Sequence, residues 1–331
     1  MPQIQRVKVY KYKNIAAALA VVLLALVALS TNVGITASKK SSSKNNTSVT
    51  SEEKKKTAKK KDDSSKVRLT QNYQYDEYSN TVSLDSGALA IVDQDHPYNS
   101  EPSDTAILYD YMFDDDGTQI MYAGSTMISG DRKMLAAFNT MISDFYAETG
   151  IGDIMVWQLI PESGDSKYDE AALGTCVDLM IYDPAAGTYD PFAANDRYEW
   201  LAVNCYKYGF VFTKADRVRY ITPVVADYLH KNEMTLDDFM IKVKKYSFEK
   251  PLYYTDEHSV ENAIYFVKKS KKDTTNIPVP LREDNSPYDY EISGNNDDGY
   301  VMIVKLSHSS EVEDYYENDS AAESEAETVN G

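Results

Sequence analysis

Residues 15–29 read IAAALAVVLLALVAL, an uninterrupted apolar run, and no charge follows until Lys39. The stretch 15–37 is long enough to cross a hydrocarbon core of about 30 Å as a helix. Arg6, Lys8, Lys11 and Lys13 precede it, the arrangement of a signal peptide or signal anchor. Ile35-Thr36-Ala37 is a weak cleavage site, so an uncleaved anchor is expected, with 1–14 cytoplasmic and the remainder extracellular. The lysines between Lys39 and Lys61 oppose the positive-inside rule. The position of the run ahead of a whole domain outweighs them. Residues 38–68, rich in Ser, Lys, Asn and Thr, bury little and read as a disordered linker. The tail 311–331 holds eight acids and no base and reads the same way.

Between these flanks the pattern alternates between helical and strand periods. Residues 87–92 read as a strand. Asp131 begins a helix whose apolar stripe is Met134, Phe138, Met141, Ile142 and Phe145, ending at Gly150. Strands follow at 153–160 and 174–182. Asp196 and Glu199 have capping-box spacing for a helix to Lys207, stopped by Gly209, with a short strand at 210–212. Further helices begin at Thr222-Pro223 and at Thr235 with Asp238. After residue 250 only short strands are expected, at 252–255, 263–268, 288–293 and 299–306, with SGNNDDGY as the turn joining the last two. The expected fold class is α+β: a small mixed sheet with helices on one side over 69–250, plus a small β extension over 251–310.

The chain has 331 residues, and its aromatics are chiefly Tyr, 27 against 9 Phe and 2 Trp. Tyr buries a ring but still needs a partner for its hydroxyl, which suits half-buried sheets and wet clefts. Residues 1–68 hold 15 basic and 4 acidic residues, leaving 19 basic and 48 acidic in 69–331, a balance of −29. A domain that acidic repels phosphate backbones, so no nucleic-acid partner is expected. Cys176 and Cys205 form no CxxC motif, and sequence alone leaves their pairing open.

Four segments carry a resemblance over residues 87–241. GALAIVDQDHPY is similar to an opening LVNKxHPL strand, and ALGTCVDLMIYD to HQTGLAVDI. WLAVNCYKYGFVF (200–212) is very similar to WLxxNAHKYGFIL, and the segment from Arg219 follows RYVGxxxAxxIxxxxLTLEEY. These patterns belong to the VanY-type D-alanyl-D-alanine carboxypeptidases, zinc enzymes that trim peptidoglycan stem peptides. The resemblance implies a zinc held by a His and an Asp of H-x-x-G-x-x-x-D and by the His of E-x-W-H-F-R-Y. The metal polarises a carbonyl and activates water.

This chain departs from that ligand set. Gly174 and Asp178 match the first motif, but the His position is Ala171. Arg219 and Tyr220 match the second, but its His position is Arg217 and its general-base position is Lys214. Alanine offers no lone pair, and arginine stays protonated and repels a cation. Glu170 and Asp216 lie one residue off register, which on a strand turns a side chain to the other face. Asp178 is the one residual metal ligand of the motif; Cys176 shares its face and a thiolate binds zinc, but the pair alone makes a poor site. The four histidines, His96, His230, His258 and His308, match no ligand position. The family's SGYRS stretch, whose Arg holds the substrate carboxylate, has no counterpart in VWQLIPESGD.

The resemblance therefore implies a degenerate, catalytically inactive relative with no cofactor of its own. Trp157, Glu170, Cys176, Arg219 and Tyr220 are candidate cleft-lining residues. Asp178 could instead serve as a structural acceptor paired with Arg217. The expected partners are a peptidoglycan stem peptide or a cell-envelope protein, with the membrane reached through the N-terminal helix. The alternative is an active zinc carboxypeptidase with rearranged ligands. A third reading is an interaction module built on the β extension.

Overall fold

The computed structural model describes residues 69, 72–79, 83–125, 127–161, 164–272 and 274–307. The expected anchor, the linker up to residue 68 and the acidic tail lie outside the described residues, as does His308. Among the described residues no helix is long and apolar enough to cross a membrane.

In chain order the first elements are β1 (Tyr73–Ser79), β2 (Thr105–Ile107), β3 (Tyr122–Ala123), β4 (Ser129–Asp131) and α1 (Arg132–Thr149). Next come β5 (Ile154–Gln158), β6 (Cys176–Asp183), β7 (Thr188–Pro191), α2 (Glu199–Asn204), β8 (Phe210–Lys214) and β9 (Arg217–Tyr220). They are followed by α3 (Pro223–Lys231), α4 (Leu236–Val243), β10 (Leu252–Thr255) and β11 (Glu261–Lys268). The last are β12 (Thr274–Pro280), β13 (Asp289–Gly294) and β14 (Gly299–Lys305).

Helix α1 forms where the stripe predicts it. The Asp131 carboxylate accepts from the Met134 N–H at 2.9 Å, and Gly150 closes the helix in the left-handed region at φ +68°. Its buried residues, among them Phe138, Met141 and Phe145, pack against Val156, Leu179 and Val218 of the main sheet. Each such side chain contributes roughly 1.5–3 kcal/mol on full burial, so this face fixes the helix to the sheet. The sheet runs β3-β5-β6-β9-β8, with β7 joining β6 beyond the end of β9. All its pairings are antiparallel except β3 with β5.

A second sheet, β10-β11-β14-β13, holds the strands expected after residue 250. Its Ile264, Val301 and Ile303 share a core with Ile221, Val225 and Leu229 around α3 and with Phe239 and Met240 of α4. This is the α+β class expected, but the helices do not all lie on one face of the mixed sheet: α1 packs on the face that bears Phe210 and Val218, while α3 and α4 form a second core that Val211, of opposite parity on β8, joins.

Three local expectations are corrected. Residues 87–92 are not a strand. Leu89 and Ala90 are fully buried, but Gly87 turns the chain at φ +102°, where an added Cβ would lie 2.4 Å from Ser293 Oγ. The segment is held by scattered bonds such as Ile91 N–H to the Asn295 carbonyl at 3.2 Å. The helix expected over 196–207 is three short pieces: a 3-10 turn at Asp196–Tyr198, α2, and a 3-10 turn at Cys205–Tyr208. Asp196 has φ +48° and the capping box does not form. Core packing sets the pitch here, since Tyr198, Leu201 and Cys205 are buried and the Tyr198 hydroxyl donates to Asp153 at 3.0 Å. Finally, β1 and β12 pair with each other over seven register positions, and neither was expected.

Candidate functional site

Strand parity builds the site. Cys176 pairs with Arg219 and Asp178 with Arg217 across β6 and β9. These four side chains therefore share one face, while Val177 and Val218 between them face α1 and the core. Above this face lies a 3-10 turn, Glu170–Leu173. The Asp169 carboxylate starts the turn by accepting from Ala171 N–H at 2.9 Å, and Gly174 ends it at φ +76°. The turn lowers Asp169 and Glu170 onto the two arginines.

Arg217 is the centre. Its Nε and Nη2 donate to Oδ1 and Oδ2 of Asp178, the second at 2.8 Å, and its Nη1 donates to Asp169 Oδ1. Glu170 Oε1 lies 3.8 Å from the same Nη1. Arg219 reaches Glu170 Oε2 at 3.3 Å and donates to the carbonyls of Ala88 at 3.0 Å and Ala90 at 2.6 Å, pinning the 87–92 segment. Thr213 donates its hydroxyl to Glu170, and Lys214 Nζ stands 3.5 Å from Asp169. Lys214, Arg217 and Arg219 thus meet Asp169, Glu170 and Asp178, three cations against three anions.

The electrostatics follow from this packing. Burial alone would lower the Arg217 pKa, but the bonds and charges of Asp178 and Asp169 carry it above its ordinary value. Burial would raise Asp169, yet the Ala171 N–H and Arg217 hold it below the usual carboxylate range. Burial, reinforced by the nearby Glu170 charge, pushes the Cys176 thiol well up.

The expected lining residues separate. Cys176 and Arg219 are buried beneath the turn. Tyr220, one residue further along β9, has the opposite parity and joins the core. Glu170 does reach the site: it sits on a 3-10 turn rather than a strand, so the off-register argument does not apply to it. Asp216 lies between β8 and β9, and its carbonyl accepts from Leu179 N–H. Trp157 is 44% exposed at a bulge between Val156 and Gln158 and lies 5.0 Å from the Tyr189 ring. Asp169 was missed from sequence. An acid directly before EAAL is an N-cap signal that a strand reading of the segment hid. Cys176 and Cys205 are both free and buried.

No protein-family model and no curated protein matches the chain. Among solved structures it is similar to the vancomycin-resistance D,D-dipeptidase VanXYg in complex with a D-Ala-D-Ala phosphinate analogue. That match has a TM-score of 0.55 and 16% identity, and covers 71% of this chain and 99% of that one. That likeness shows a fold shared with this D,D-dipeptidase. VanYB in complex with D-alanine-D-alanine also matches, at TM-score 0.33 and 13% identity over 47% of this chain and 99% of that one. So does the LD-carboxypeptidase LdcB, at TM-score 0.33 and 19% identity over 44% and 81%.

The residues present do not fit zinc. The position that resembles the first ligand is Ala171, which has no donor atom. Both oxygens of Asp178 are taken by Arg217, and the cationic guanidinium stands among the carboxylates that would otherwise surround a metal. Among the described residues no group of three or more His, Cys, Asp or Glu is arranged to hold a metal ion. The described histidines lie elsewhere: His96 bonds Asp93 at 2.9 Å, His230 stacks on Tyr206 at 3.7 Å, and His258 is 4.0 Å from Glu257.

Proposed function

We propose that this chain is a membrane-anchored, extracellular module that binds peptidoglycan stem peptides without hydrolysing them. The observation that carries the reading is the Arg217 guanidinium, bonded to Asp178 and Asp169 on the face where the resembling motif would assemble a metal. A hydrolase of this type needs a Lewis acid, a water it can activate and a base. Here the ligand, ligand and base positions are Ala171, Arg217 and Lys214.

Two further points support the binding half of the proposal. VanXYg, which shares the fold, is in complex with a D-Ala-D-Ala phosphinate analogue. The face beside the arginine cluster also remains open, bearing Trp157 and Tyr189, which is 52% exposed. The apolar run 15–29 behind a basic start supports anchoring with the folded part outside the cytoplasm.

The test uses the full chain in detergent. It should co-sediment with purified peptidoglycan, be displaced by soluble stem pentapeptide, and release no D-alanine from that peptide. Release of D-alanine in proportion to protein, abolished by a chelator, would establish the active alternative. Failure to co-sediment would remove the binding claim.

A further inference from the structure

A cavity of about 350 Å³ is lined from the start of α1, the ends of β6 and β9, and the strands β13 and β14, and none of the three cations of the arginine cluster lines it. Thr175 and Thr222 both line it, and each is 6% exposed. Neither hydroxyl has a hydrogen-bond partner among the described residues. A buried polar group left unpaired is costly, because it has given up water without gaining a partner. Two of them on the wall of one cavity mark a surface made to meet a polar occupant rather than a packed core.

The wall is also charged. It carries the carboxylates of Glu101, Asp131 and Glu291 against the single ammonium of Lys133, and Lys133 is already ion-paired with Glu291. Burial raises the Asp131 carboxyl above its ordinary pKa although the Met134 N–H bonds it, so a cation placed beside it would relieve that penalty. Pro102, Leu173 and Ile303 supply apolar wall for a short stem. The volume falls at the small end of the range of ligand sites.

We propose that this cavity is a binding site for a small primary ammonium compound carrying an adjacent hydroxyl or amide. Its ammonium is drawn by the excess of carboxylates, and its neutral polar group bonds the Thr175 and Thr222 hydroxyls. The site is independent of the stem-peptide reading above.

Calorimetric titration of the full chain with glycinamide tests it, with acetamide as the uncharged control. Glycinamide should bind saturably, and acetamide at least tenfold more weakly. Thr175→Val and Thr222→Val, which keep shape and lose the hydroxyl, should each weaken glycinamide at least fivefold, while Thr222→Ser should retain affinity. The proposal is overturned by an absence of saturable glycinamide binding, by equal binding of acetamide, or by affinity unchanged in both valine variants. The acetamide comparison uses the unaltered protein, so it decides the matter even where a valine variant does not fold.

Discussion

Arg217 and Asp178 face each other as register partners on β9 and β6 and are joined by two parallel hydrogen bonds, from Nε and Nη2 of the one to both carboxylate oxygens of the other. A guanidinium matches a carboxylate in this bidentate form where an ammonium cannot. The pair thus ties β6 to β9 at two positions that, in the resembling motif, are held by metal ligands.

The first prediction concerns removal of the cation. Arg217→Met leaves Asp178, Asp169 and Glu170 close together with only Arg219 and Lys214 near them. Breaking a largely buried pair from one side destabilises on the order of 3 kcal/mol. Urea denaturation should show a loss of that size, with Arg217→Lys recovering only part of it. Arg217→Met combined with Asp178→Leu should lie closer to the unaltered protein than Arg217→Met alone.

The second concerns acid. Asp169 has a lower pKa folded than unfolded, so the unfolded chain binds more protons in that range. Its contribution to stability is present above the unfolded value of about 4 and is lost as pH falls through the lower folded value. Asp169→Asn should flatten that part of the stability profile. An unchanged slope between pH 5 and pH 2 would show that Asp169 is not coupled to Arg217.

The third concerns the thiols. Burial pushes Cys205 up to about 12 and Cys176 higher still, so neither presents a thiolate near neutral pH. Ellman's reagent should react with neither in the folded protein at pH 8 and with both in denaturant. Reaction of Cys176 in the native state would mean that the turn over the arginine cluster opens.

A fourth concerns the backbone. Gly209 has φ +85°, and a Cβ there would stand 2.7 Å from the Tyr220 ring and 2.9 Å from the Pro223 nitrogen. Gly209→Ala should lower stability by about 1–3 kcal/mol, read as a lower melting temperature.

What was legible in the sequence follows from how local each signal is. Helix α1 was readable because its cap, stripe and stop all lie within twenty consecutive residues. Strand β6 was readable from its apolar run, whereas β9 was not among the expected strands; the pairing of Asp178 with Arg217 was legible only as a charge argument, and its register came from the structure. The 87–92 segment misled because its backbone is bonded by Ser293, Asn295 and Arg219 and Leu89 is buried among Ile221, Val225 and Leu229, all far away in sequence. Strand β12 was hidden by Pro278 and Pro280. Such residues disfavour a central strand but are accommodated here because, among the described residues, β12 pairs with β1 alone. Asp169 was hidden because its role depends on a turn that brings it back over a strand 48 residues later. Thr175 and Thr222 carry no sequence signal at all, since an unpartnered hydroxyl exists only once the rest of the fold surrounds it.

The central claim is that Arg217 occupies the chemistry of the metal position. It is tested most directly by titrating zinc into the metal-stripped full chain, in parallel with Ala171→His/Lys214→Glu/Arg217→His. The account predicts no stoichiometric zinc in the unaltered protein and one zinc per chain in the triple variant. One tightly bound zinc in the unaltered protein, lost on Asp178→Ala, would contradict it.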